Sequence, residues 1–244
     1  MKNEALEQIR KEAKNVEGQI SPREEEFLFN AALNARVAGE IVEIGSRTGR
    51  STIFLAKGAL LGGQNKKVYA VDPHYGTYMH KGFSDIGLDP DTFEIFLKNI
   101  SDAKVENVVV PVKKTSREAI KGWDKPISFL FIDGDHRYEG VKSDYEIWWP
   151  RVSEGGVVAF HDSTYAGVKV FMKEFLLRGN ISKVGLADSI TYVVKSTGKP
   201  VSANARYVLA INHLYGIIRN IPFPSWIRRG VKYAGKKVVH SIAG

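Results

Sequence analysis

The chain has 244 residues, a formal net charge of +8 and no cysteine, which excludes disulfides, thiolate metal sites and cysteine nucleophiles. Its 43% hydrophobic and 25% charged content is that of an ordinary globular protein able to bury a full core. The opening MKNEALEQIRKEAKNVEG is charged throughout, without the apolar stretch of a signal peptide, and no apolar run reaches the ~20 residues that cross a bilayer.

In chain order, Leu6, Ile9, Ala13 and Val16 share one face of a helix over 5–16. Ser21-Pro22-Arg23-Glu24 predicts the start of a second helix: serine as N-cap, proline at the first position and glutamate at the third form a capping box. There follow strand 41–45, helix 50–61, strand 67–72, helix 90–100 and strand 107–112. A short helix opens at Thr115, then strand 127–133, helix 138–149 ending at Pro150, strand 156–161 and helix 165–178. Such alternation predicts an α/β fold with a parallel sheet and helices on both faces. Next comes SKVGLADSITYVVKS, two short strands separated by Asp188-Ser189 instead of a helix.

From 197 to 244 there are eight basic residues and no acidic ones, so the other 27 basic residues balance all 27 acidic ones. The excess charge belongs to this tail. Val208, Ile211, Tyr215 and Ile218 mark one amphipathic helix, interrupted by Pro222 and Pro224. Ile227, Val231, Ala234 and Val238 mark another, with Arg228, Arg229, Lys232, Lys236 and Lys237 largely elsewhere. The pattern suits a helix lying on an anionic membrane surface. Packing on the domain or on a second copy of the chain explains it as well. Nucleic-acid contact is disfavoured, because the tail lacks the interleaved aromatics of a stacking platform.

Three motifs carry chemistry. IVEIGSRTGRST puts Gly45 and Gly49 in a turn between strand and helix, where a missing Cβ lets a ligand approach the backbone. The spacing is G-x-x-x-G, not the G-x-G-x-x-G of a dinucleotide pyrophosphate site. Asp72 ends the next strand, where a carboxylate accepts hydrogen bonds from ribose hydroxyls. After the third strand, Thr115 or Ser116 caps the short helix. The longest motif, 129–163, reads FLFIDGDHRYEGVKSDYEIWWPRVSEGGVVAFHDS. Parallel strands carry ligand-facing groups at their carboxyl ends, so Asp133, Asp135, His136, His161 and Asp162 gather at one sheet edge. Carboxylates and imidazoles converging there suit a metal with a general base beside it. Within this stretch Asp135 reads more simply as a cap for the helix near Tyr138. Tyr138, Val141, Tyr145 and Trp148 have core spacing, Gly155-Gly156 reads as a tight turn, and Asp144 has no catalytic role.

FIDGDH-x-YEGV-x-x-D followed by GG-x-x-x-x-HD resembles the class I S-adenosylmethionine (SAM)-dependent O-methyltransferases, in a branch similar to the catechol and macrolide-sugar enzymes. The resemblance covers roughly residues 25 to 196. It implies a Rossmann-like class I methyltransferase sheet, parallel with a C-terminal antiparallel hairpin and helices on both faces. It divides the chain into a helical segment 1–24, a methyltransferase domain 25–196 and the basic extension 197–244. It implies SAM held by Glu43, Gly45, Arg47, Gly49, Ser51, Asp72 and Ser116, with Glu43 placing the methionine amino group and Ser116 near the adenine. Arg47, Arg50 and Ser51 are candidates for the methionine carboxylate. Asp133, His161 and Asp162 match metal-ligand positions for Mg²⁺ or Mn²⁺, and His136, with Asp133, matches the catalytic position of a base. Ser163 departs from the asparagine of the catechol branch and is a weaker ligand.

The expected activity is metal-assisted O-methylation of a small-molecule, sugar or glycolipid hydroxyl. The expected setting is cytoplasmic, with peripheral contact at the inner membrane surface through the tail or homo-oligomer formation as further options. Two rivals remain at this point: an NAD-dependent oxidoreductase on a similar sheet, and a non-catalytic membrane or nucleic-acid adaptor working through the tail. The acceptor is expected to meet PHYGTYMHKGFSDIGL, which carries His74 and His80 at the carboxyl edge.

Overall fold

The computed structural model describes residues 2–75, 92–178 and 180–197. In order these form α1 (Lys2–Glu12), α2 (Pro22–Leu33), β1 (Glu40–Ile44), α3 (Arg50–Gly62), β2 (Val68–Val71), α4 (Phe93–Asp102) and β3 (Val109–Val112). Then come α5 (Ser116–Ala119), β4 (Ile127–Ile132), α6 (Tyr138–Trp148), β5 (Val152–Phe160), α7 (Ala166–Arg178), β6 (Ile181–Ala187) and β7 (Ile190–Lys195). One seven-stranded sheet runs β3-β2-β1-β4-β5-β7-β6. The first five strands in that order pair in parallel, and β7 lies antiparallel to both β5 and β6. The Rossmann-like sheet with a terminal hairpin is therefore present.

Side-chain alternation explains why the sheet is covered twice. Ile41, Phe129 and Phe131 join α1 to α4 in one apolar cluster, while Val42, Ile44, Leu130 and Ile132 join α6 and α7 in the other. β4, ISFLFI, is buried at every position, as a central parallel strand must be. Leu6, Ile9, Ala13 and Val16 are all buried in the same cluster as Phe29 and Phe54. Large side chains contribute roughly 1.5–3 kcal/mol each on burial, so α1 is packed firmly on the sheet's helices.

The capping box at Ser21 forms as expected, with both reciprocal hydrogen bonds to Glu24. Thr115, not Ser116, caps α5, in a second capping box with Glu118. Gly155-Gly156 is not a turn between elements: it lies inside β5, at a register shift against β4, with Gly155 at φ 75°. The extra residues make a bulge, which takes the same small residues as a turn. The segment 76–91, with His80, and residues 198–244, with the predicted amphipathic helices, lie outside the described residues. Among those described, no helix is long and apolar enough to cross a membrane.

Candidate active site

Backbone ladders extend one residue past the strands and fix the edge where the motifs meet. Gly45 N–H donates to Val71 O (2.9 Å), Asp72 N–H to Val112 O (3.1 Å), Asp133 N–H to Ile44 O (2.8 Å) and His161 N–H to Ile132 O (3.0 Å). Four chemistry-bearing residues, distant in sequence, thereby stand side by side at the carboxyl ends of β1, β2, β4 and β5. The glycine bend touches the acidic corner directly. Gly45 has φ 92°, and a Cβ placed there would come within 2.4 Å of Asp133 O. Glycine is therefore required at this point by the neighbouring strand, in addition to any ligand.

Around the bend, Asp72 accepts from Arg47 N–H (2.8 Å) and His74 N–H (2.7 Å), leaving further lone pairs on its half-buried carboxylate. Glu43 is fully buried and accepts from Thr52 Oγ1–H. Its other oxygen, Oε1, has no hydrogen-bond partner. Burial pushes its carboxyl up to about 8, against hydrogen bonds from Ser51 and Thr52, with Asp133 and Asp72 adding repulsion. A buried acid with an unmet oxygen fits a ligand bearing an ammonium group. Arg47 pairs with Glu17 (2.9 Å). Arg50 is committed elsewhere: it donates to Ala13 O (2.9 Å) and Val16 O (2.8 Å) and pairs with Glu25 (2.6 Å). That removes Arg50 as a candidate for a ligand carboxylate.

Ser116 Oγ accepts from Trp148 Nε1–H (2.8 Å) and bonds Asp144. Its hydroxyl is thus engaged within the protein, and Asp144, which the sequence reading set aside, lies buried behind it. His74 is buried, with Nδ1 2.9 Å from Thr92 Oγ1 and its ring beside Phe93 and Phe96, so it serves packing.

The acidic and imidazole groups do converge. His161 Nδ1 is 2.8 Å from Asp133 Oδ1, and His136 Nε2 is 3.4 Å from the same atom and 3.5 Å from Asp162 Oδ2. His161 Nδ1 lies 3.7 Å from Asp162 Oδ2. Asp133, His136 and His161 bring ligand atoms close enough together to share a cation. His136 Nε2 and both ring nitrogens of His161 are buried without a geometrically sound hydrogen bond. Buried polar atoms of this kind are rare unless something binds them, so the residues fit a divalent cation.

Burial opposes charge on His161, yet Asp133, Glu24 and Asp162 push its imidazole up to about 11. Burial likewise opposes charge on His136, but Asp133 and Asp162 raise it. Asp133 is held below the usual carboxylate range by His161 and His136 despite its burial. Asp162 takes the left-handed conformation, φ 49°, an uncommon backbone state found at functional sites.

Asp135 feels the charge of His136 but makes its bonds outside this cluster. It accepts from Arg137 N–H (2.9 Å), closing the turn into α6, and pairs with the Arg137 guanidinium (2.7 Å). A Cβ on Gly140 would fall 2.3 Å from Asp135 Cγ, which explains the glycine of YEGV. Ser163 also turns away: its hydroxyl donates to Ser189 O (2.7 Å) and accepts from Thr191 Oγ1–H (2.7 Å).

One participant escaped sequence reasoning. Glu24, noticed only for its cap, reaches across to His161 Nε2 (3.7 Å). Local pattern cannot show that contact, since it depends on α2 packing beside β5 and the β6–β7 turn.

Comparison with known proteins gives the family and the fold. The profile of a family described as a methyltransferase domain matches residues 42–163, half of the chain, and spans both the glycine bend and the HD corner. The chain belongs to this family of methyltransferase domains. The Bacillus cereus O-methyltransferase, solved with S-adenosylhomocysteine (SAH), has a similar fold at 19% identity and TM-score 0.56, covering 79% of this chain and 91% of that one. The O-methyltransferase TomG from Streptomyces achromogenes, solved with SAM, is similar at 16% identity and TM-score 0.54, covering 79% and 90%. A curated relative, y4gI of Sinorhizobium fredii, is 30% identical over 124 residues, which is 50% of this chain and 13% of y4gI. The chain thus spans a small part of that relative's length. The glycine spacing and the antiparallel hairpin agree with a methyltransferase sheet and disfavour the oxidoreductase.

Proposed function

We propose that this chain transfers the methyl group of SAM to a hydroxyl oxygen of a small-molecule, sugar or glycolipid acceptor, assisted by a divalent cation such as Mg²⁺ or Mn²⁺. The observation that carries the reading is the contact between the two halves of the edge: the glycine bend and the Asp133 corner touch through backbone. A methyl donor lying on one half therefore presents its reactive end to the other.

On the donor side, Asp72 takes the ribose hydroxyls, and Gly45 and Gly49 give backbone access. Glu43 would meet the methionine amino group, Arg47 and Ser51 its carboxylate, and Ser116 would lie near the adenine. SAM supplies an electrophilic methyl carbon on a sulfonium. Asp133, His161 and Asp162 would hold the cation, which supplies positive charge that makes a nearby hydroxyl more acidic. The acceptor's oxygen forms its bond to the methyl carbon as the carbon–sulfur bond breaks, and its proton passes to His136 Nε2. The carboxylates around His136 raise its basicity, which suits a proton acceptor. Alignment of two reactants can by itself lower the barrier by ~7–11 kcal/mol.

The test follows methyl transfer from labelled SAM into a panel of hydroxyl acceptors, before and after chelation. His136→Ala should cut turnover by about 10²–10⁴-fold while SAM affinity stays within about twofold. A variant that loses SAM binding but keeps its turnover per bound complex would remove His136 from the reaction. Full activity in chelator would remove the cation.

A further inference from the structure

His161 is the least exposed group of the acidic cluster, at 5%, and each of its ring nitrogens faces a carboxylate. Nδ1 looks toward Asp133 and Asp162, the inside of the cluster. Nε2 looks the other way, toward Glu24 Oε2 at 3.7 Å, an ion-pair distance, and has no hydrogen-bond partner. Glu24 itself is unusually well fixed. It accepts from Ser21 N–H (2.7 Å), as the glutamate of the capping box, and from Ser189 N–H (2.8 Å) and Ser189 Oγ–H (2.6 Å) in the β6–β7 turn. The carboxylate is thus anchored at α2 and at the terminal hairpin before it meets the ring. Water has little access, because Glu24 is 3% exposed.

We infer that Glu24 is a positioning residue for the cation site, the acceptor that keeps the His161 proton on Nε2 so that Nδ1 is left as the atom offered to the cation. An imidazole can carry its single proton on either nitrogen, and a ligating ring is fixed in one tautomer by what its second nitrogen donates to. The carboxylates inside the cluster provide no reason to choose, since they would accept a proton from Nδ1 as readily. Glu24 supplies the bias from outside. It also ties the N-terminal helix pair to the chemistry, because a residue in the first turn of α2 orients a ligand at the end of β5. This inference rests on the metal-assisted reading proposed above and goes further, naming the atom and its orienting partner.

The experiment titrates Mn²⁺ into the chelator-treated full chain by calorimetry, with SAH binding measured alongside. Glu24→Gln should weaken Mn²⁺ about 10–100-fold and leave SAH affinity unchanged. His161→Ala should weaken Mn²⁺ as well, and the double variant should bind no worse than His161→Ala alone. A merely structural Glu24 would give losses that add. Wild-type affinity in Glu24→Gln, or additive losses in the double variant, would overturn the proposal.

Glu24 also supports the fold, so a second measurement needs no variant. Nitrogen NMR of the wild-type imidazoles, loaded with Mg²⁺, should show His161 protonated at Nε2. A proton on Nδ1 would overturn the proposal. Absence of any divalent binding by wild type would also overturn it, whereas the transferase reading fails separately, by loss of SAM and SAH binding.

Discussion

Asp144 stands on α6 at 8% exposure, beside Gly134 and bonded to Ser116, whose hydroxyl also receives Trp148 Nε1–H. Burial pushes its carboxyl up to about 6 from the ordinary 3.8. The folded chain therefore holds a proton that the unfolded chain gives up at lower pH. Stability from this group is complete below about pH 4 and is lost as pH climbs through about 6, a cost of about 3 kcal/mol at most. Asp144→Asn removes that ionisation. Its melting temperature should match the wild type near pH 4 and exceed it near pH 8, as thermal denaturation across that range would show; a gap that stays constant with pH would contradict the assignment. Glu43 differs in kind although its carboxyl is raised too, because one of its oxygens is unmet and it lies under the bend. Asp144, by contrast, is already satisfied within the protein by Ser116.

Among the elements, the glycine bend between β1 and α3 matters most, because it joins the donor side to the acidic corner. Gly45→Ala forces a Cβ toward Asp133 O at a positive φ. The combined overpacking and left-handed strain should cost roughly 2–4 kcal/mol, readable as a lower denaturant midpoint. If the variant folds, SAM binding should fall as well, because the bend cannot relax without displacing β4. An unchanged midpoint would show that the strand does not press on the bend.

How much of this was legible depended on range. The capping boxes at Ser21 and Thr115, the central strands and the corners FIDGDH and HD are local patterns, and the sequence displayed them directly. Three contacts were hidden. Arg50 is spent on carbonyls just after α1 and on Glu25, Ser163 is spent on the β6–β7 turn, and Glu24 faces His161. Each joins segments far apart in the chain, so no periodicity or spacing announces it. Gly155-Gly156 failed for another reason: a bulge and a turn draw on the same residues.

At the scale of the molecule, a two-faced sheet provides a rigid floor, and ladder hydrogen bonds continue past the strand ends into Gly45, Asp72, Asp133 and His161. The N-terminal helix pair and the terminal hairpin, at opposite ends of the domain's sequence, meet at Glu24 and Ser189 behind the acidic corner. The proposed site is therefore gathered on one edge and braced by elements with no motif of their own. The central claim is that this edge binds a sulfonium methyl donor through Asp72 and the bend. Calorimetry with SAH on wild type and Asp72→Ala tests it most directly. The wild type should bind at one site and the variant about 10–100-fold more weakly, the worth of charge-assisted hydrogen bonds to two hydroxyls. Failure of the wild-type chain to bind either SAH or SAM would contradict it.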